Sequence, residues 1–161
     1  MTRQQYLSWF DEVTGPTVSI MGLVPPDKLG WRLAENSFSL GQLMDHMGKA
    51  LLFNAKVLAR EELPAKSVRE ILVLNRRTPE ATVEQAVTQF ENGKRRIHEV
   101  INAMGEETFQ SGEIESPQRG RTEVWRFAAF VLEHHIHHLM ELHVGLKLLG
   151  VNVNTKTLYS S

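Results

Sequence analysis

The 161-residue chain reads as an all-α protein, a four-helix bundle forming a single domain over residues 1–161. Three observations predict this. Apolar residues recur at three- and four-residue steps almost throughout. Strong start and stop signals separate the runs. Strand-type alternation is nearly missing. Hydrophobic residues make up 42% of the chain, so a chain of this size can bury about two-thirds of its unfolded surface without staples.

The first helix is expected from about Arg3 to Leu23, with Tyr6, Leu7, Phe10, Val13, Ile20 and Met21 on its apolar face. Gly15-Pro16 should kink or split it, and Pro25-Pro26 ends it. The second starts at Ser39, where Gln42 completes a capping-box pattern. Leu40, Leu43, Met47, Leu51, Val57 and Leu58 follow at helical spacing, and the run fades near Glu61–Pro64. Thr78-Pro79-Glu80 signals the start of the third helix, which continues to about Met104. The fourth runs from about Thr122 to Leu149, with Gly150 as its stop. Ser67–Asn75 is either a strand or a short helix packed across the bundle. Val151–Asn154 is the other short strand candidate, and Gly105–Arg121 is a long polar connection.

Composition removes several function classes. With no cysteine there is no disulfide, thiolate zinc site, iron–sulfur cluster or cysteine nucleophile. Eighteen basic against 19 acidic residues, a formal charge of −1, argue against a nucleic-acid partner. No apolar run marks a secretory signal or a membrane span, so a cytoplasmic location is expected. Paired Glu-x-x-His motifs, H-E-x-x-H, G-x-S-x-G and phosphate-binding glycine patterns are all missing. Met44, Met47 and Met140 read as core filler, and Trp9, Trp31 and Trp125 as packing at the bundle ends.

The anomaly is histidine: seven in all, five of them within residues 134–143. At about 100° per residue, His138 lies about 40° from His134. On that wheel Phe127, Phe130 and Val131 share the side of the pair, which predicts that both histidines occupy the centre of the inward face. His143 falls on the opposite side and is expected to point away. Imidazoles at i and i+4 can bite one metal ion. The competing reading makes one of them a hydrogen-bonded core residue and leaves the rest solvated. His46 on the second helix shares a face with Leu43, Ala50, Phe53 and Val57, so it too faces the core and supplies a third candidate ligand. His98 reads as a surface or boundary residue. Glu141, three residues after His138, could be a fourth ligand, an acceptor for an imidazole N–H, a general base on bound water, or a plain rim carboxylate.

Two segments resemble the DinB/YfiT-like superfamily of four-helix-bundle metalloenzymes. One is Leu29-Gly-Trp-Arg32 followed by Ser37–His46; the other is His134-His-Ile-His-His138 followed by Leu146-Lys-Leu-Leu-Gly150. The resemblance implies a three-histidine site for a divalent metal at His46, His134 and His138, with zinc first and nickel, iron or manganese also admissible. It further implies a homodimer using apolar surface left on the first helix. Where that family commonly shows Arg-Gly-Gln after the pair, this chain has Leu139-Met140-Glu141.

Three imidazoles leave a tetrahedral ion one open position, the pattern of catalytic zinc. The expected function is therefore a metal-dependent enzyme acting on a small molecule, either a metal-activated hydrolase or, as the resemblance implies, an S-transferase for a low-molecular-weight thiol. Because the chain has no cysteine, that thiol must arrive as a cosubstrate. In either case Glu141 is the candidate catalytic residue. The alternative is a non-catalytic stress-response or small-molecule-binding bundle in which a structural metal ties the second helix to the fourth.

Overall fold

Three of the four long helices begin with the same device. Thr2, Ser39 and Thr82 each accept a hydrogen bond from the backbone three residues on, and Gln5, Gln42 and Gln85 each reach back to the cap. Two of the four N–H groups orphaned at each helix start are thereby satisfied. The structure, a computed structural model, describes residues 1–159. Its order is α1 (Arg3–Thr14), α2 (Thr17–Met21), a 3₁₀ turn at Pro26–Lys28, α3 (Leu40–Leu58), α4 (Val68–Arg76), α5 (Val83–Ala103) and α6 (Glu106–Ser111). There follow β1 (Glu113–Ser116), β2 (Gly120–Glu123), α7 (Val124–Leu148) and α8 (Thr155–Tyr159).

The four long helices α1, α3, α5 and α7 enclose a core in which Tyr6, Phe10, Phe90, Phe109 and Phe127 are fully buried. Gly15-Pro16 splits the first apolar run into α1 and α2, as its sequence predicts. The packing of α3 on α5 is the tightest in the bundle, and glycine makes it so. A Cβ at Gly48 would lie 2.7 Å from the backbone of Gln89 and Phe90; one at Gly93 would lie 2.7 Å from the Leu51 Cβ. At α7's end, Gly150 takes φ 76°. Its N–H donates to the Lys147 carbonyl, and the Val151 N–H donates to that of Leu146, both at 3.0 Å. This Schellman arrangement satisfies carbonyls the helix leaves open.

Several expectations need correction. The third long helix starts at Val83, not near Thr78. Residues 78–81 instead run along the start of α3, where the Thr78 carbonyl accepts from Gln42 Nε2 at 2.7 Å. The reciprocal cap of Thr82 and Gln85 then supplies the true start. Val151–Asn154 is not a strand: it has no strand partner among the described residues, and Val151 is engaged in ending α7. Ser67–Asn75 resolves as a helix, α4, capped by the Ser67 hydroxyl.

The polar connection 105–121 holds α6 and an antiparallel hairpin, β1 on β2. Its Ile114 and Ser116 face inward while Glu113 and Glu115 face solvent. Met140 is 40% exposed rather than core, and Trp9 lies on the surface. The apolar residues of α1 are mostly inside. Exposed apolar side chains gather on α4, at Val68, Leu72, Val73 and Leu74, and in a stripe on α7, at Ile136, Met140, Val144 and Leu148. Among the described residues no helix is long and apolar enough to cross a membrane.

Candidate metal centre

Two constraints aim His46. The first is the close packing of Gly48 on α5. His46 lies about 200° around the helix from that position, so its ring turns to the opposite side, toward α7. The second is a strap. The N–H groups of Leu40 and Gly41 donate to the carbonyls of Trp31 and Leu29, each at 2.9 Å. Trp31 in turn lies against Gly145 of α7, where a Cβ would approach its ring to 3.3 Å. The start of α3 is thus held on the histidine-bearing helix.

On α7 the inward face is centred elsewhere than the spacing of His134 and His138 predicts. The buried stripe runs through Val124, Ala128, Val131, Leu132, His135, Leu139, Leu142 and Leu146, so its middle is His135. His134 and His138 sit on one flank, half-buried. His143 does not point away; it is buried on the other flank, where its Nε2 faces the Asn154 carbonyl of the tail at 3.4 Å. His135, only 3% exposed, pairs its Nε2 with the Thr17 hydroxyl at 2.9 Å and stacks on Phe90. It is the hydrogen-bonded core histidine that the competing reading required. His98 meets Asp11 at 2.8 Å on the surface.

The flank position brings the three predicted rings together. Ring centroids are 4.6 Å apart for His134 and His138, 4.8 Å for His46 and His138, and 5.3 Å for His46 and His134. One nitrogen from each lies within 4.8 Å of the other two, a spacing at which three imidazoles could hold one metal ion. Glu141 is not in that cluster. Its Oε2 lies 3.1 Å from His138 Nδ1, which leaves the other ring nitrogen to face the cluster.

Burial lowers the pKa of His46 to about 3, and the neighbouring His138 and His134 push the same way, while the Asn75 carboxamide beside the ring opposes them. Burial, then His138 and His137, lower His134 to about 4. Both rings are therefore neutral near pH 7, the form that donates a lone pair to a metal. The donor set, three imidazoles, fits a borderline divalent cation.

Beside the cluster lies a cavity of about 480 Å³, with His46 and His134 in its wall. That is within the range of small-molecule sites. It extends along the seam of α3 and α7, past Phe53 and Phe130, under α4. Several contributors were not anticipated. Phe38, just ahead of α3, stacks on His46 at 4.8 Å and meets His138 edge-on at 6.3 Å. Phe130, which the wheel sets on the side of the histidine pair, lies 6.0 Å from His134. Asn75 comes from α4, and nothing local in the sequence placed that segment over the site.

Comparison with known proteins agrees with this architecture. A DinB-like protein from Bacillus subtilis superposes with a TM-score of 0.66 at 18% identity, covering 91% of this chain and 92% of its own. A DinB-like protein from Bacillus cereus gives 0.75 at 12% identity, with 95% and 96% covered. An uncharacterised protein from Escherichia coli UTI89 gives 0.71 at 13%, with 94% and 96% covered. At these identities the likeness concerns the fold alone. No curated protein matches. The family model for the DinB superfamily matches residues 3–142, most of the chain. The chain belongs to the DinB superfamily.

Proposed function

We propose that this chain, acting as one domain, is a divalent-metal-dependent enzyme with His46, His134 and His138 as its ligands. The observation that carries this reading is the convergence of three imidazoles, two of them, His46 and His134, in the wall of a cavity large enough for a substrate. A bound divalent ion, zinc in the first instance, would supply Lewis acidity that brings the pKa of a water or thiol toward neutrality.

The chain's own residues divide the remaining work. Glu141 accepts the His138 Nδ1 proton, which fixes that ring's tautomer and orientation; its proposed catalytic contribution runs through this contact. Phe38 covers one side of His46 and limits water there. Phe53 and Phe130 present an apolar surface for the body of a small-molecule substrate. Since no cysteine is present, S-transfer would need a low-molecular-weight thiol as cosubstrate; hydrolysis would need only water.

Elemental analysis of the purified protein tests the site. The expected result is about one divalent ion per chain, reduced to background in His134→Ala and His138→Ala. Background metal in the wild type would sink the reading. A screen with thiol cosubstrates and with ester substrates then separates transfer from hydrolysis. Metal that raises the melting temperature without turnover in either screen would favour the structural-metal bundle instead.

The reading includes a cytoplasmic homodimer. The face it would use is the exposed stripe Ile136, Met140, Val144 and Leu148 on α7, not the first helix. Met140→Glu, tested by light scattering on a sizing column, should convert the dimer to monomer.

A further inference from the structure

The cavity beside the histidines is chemically one-sided. Its apolar wall is formed by Ala50, Phe53, Ile71, Leu74 and Phe130, and every charged side chain in its lining is a cation. Of these, Lys49 is committed to Asp45 at 2.5 Å. Lys56 and Arg77 meet no carboxylate among the described residues.

These two free cations bracket the cavity. Lys56 is ten residues beyond His46 on α3, about 15 Å along the helix axis. Arg77 lies two residues beyond Asn75, which is beside the His46 ring, and so marks the other end. An anionic group at either end would find a counter-charge, whereas a cationic ligand would find only repulsion.

The roof gives a second, independent indication. Helix α4 has no buried side chain, which is unusual for an amphipathic helix lying on a bundle. Leu74 lines the cavity yet stays 45% exposed. An apolar occupant of the cavity would bury the surface that Ile71 and Leu74 turn toward it.

We propose that the cavity binds an amphipathic monoanion, an aliphatic or aromatic hydrocarbon body carrying one carboxylate-type group, as the molecule presented to the histidine cluster. The proposal names the substrate class for the metal-site reading above and rests on it for the site's role. The hydrocarbon body lies against Phe53 and Phe130 beneath Ile71 and Leu74. The anionic group meets Lys56 or Arg77.

Calorimetric titration with octanoate, octan-1-ol and octylamine tests it. Protein stripped by a chelator is used alongside protein as purified, so that a contact between carboxylate and metal cannot supply the affinity. Octanoate should bind both forms at least about tenfold more tightly than octylamine. The double variant Lys56→Glu, Arg77→Glu should weaken octanoate about tenfold or more while octan-1-ol changes less than about threefold. Leu74→Gln, a neutral change on a helix with no fully buried side chain, should weaken octanoate and octan-1-ol alike with helical circular dichroism unchanged.

Octylamine binding as tightly as octanoate, octanoate failing to bind, or octanoate affinity surviving the double charge reversal would each overturn the proposal. The two readings fail separately. Octanoate discrimination in a protein that contains no metal would retain the ligand class and remove the metal. Stoichiometric metal without discrimination would do the reverse.

Discussion

Helix α3 has two sides that could hardly differ more. Toward α5 it packs backbone against backbone: Gly48 and Gly93 leave no room for a Cβ. Toward α7 it stands away, and the gap holds three imidazoles and a cavity of about 480 Å³. The difference teaches how a small bundle carries a site. Interdigitated backbones set α3's rotation and height, and that rigidity permits the opposite face to stay open with His46 held in place. Wide spacing on both sides would leave the imidazole unaimed, and close packing on both would leave it no ligand to meet.

The largest test of this contrast lies on the tight side. Gly48→Val should lower stability by about 3 kcal/mol or more, because the added atoms collide with backbone that cannot rotate away. On the open side of the same helix, Ala50→Leu should change stability by less than about 1 kcal/mol. Urea denaturation of both variants decides; equal losses would break the comparison.

Neighbouring histidines on α7 extend it. His135→Ala removes a core side chain with its Thr17 hydrogen bond, and should cost about 2–4 kcal/mol while leaving bound metal in place. His134→Ala should do the opposite, losing the metal while changing the stability of metal-free protein by less than about 1 kcal/mol. Elemental analysis beside urea curves reads both effects.

A pH titration of the metal-free protein probes the same burial. His46, His134 and His135 are lowered from 6.5 to about 3, 4 and 3 respectively. Below pH 6.5 the unfolded chain takes up protons that the folded chain refuses until near pH 3 to 4. Stability is therefore full above pH 6.5 and is lost as pH falls through that window, by roughly 1.4 kcal/mol per pH unit for each fully excluded proton. Melting temperatures between pH 7.5 and 4.5 should fall steadily; a flat profile would contradict neutral, buried rings.

The smallest expected effect is at Glu141. Glu141→Gln keeps an acceptor for His138 Nδ1 but removes the charge, and should weaken metal binding by about tenfold with stability unchanged. Competition with a chromophoric chelator measures it.

Much of this was legible in the residues. The caps at Ser39 and Gly150 are local devices, readable from three or four consecutive side chains. His134 and His138 share a face through spacing alone. The start of α5 was misplaced because Thr78-Pro79-Glu80 is as good a start signal as Thr82 with Gln85, and only the Gln42 contact to the Thr78 carbonyl draws the first of them away. The hairpin at 113–123 was missed because four-residue strands carry too little alternation to stand out, although Glu-Ile-Glu-Ser before a proline turn was a usable sign.

By itself, then, the sequence determined the long helices, several of their ends and the three histidines that gather, because periodicity and capping act over one or two turns; the short α6 and α8 left no such signal. Tertiary structure decided how α7 is rotated. Histidine is content in the core with one hydrogen bond or on a flank beside other rings, so only the neighbours Thr17, Phe90 and His46 distinguish His135 from His134. It also decided that α4 roofs the cavity and that Lys56 and Arg77 both line it. These placements join residues far apart in the chain, and packing across such distances leaves no periodic trace for the sequence to show.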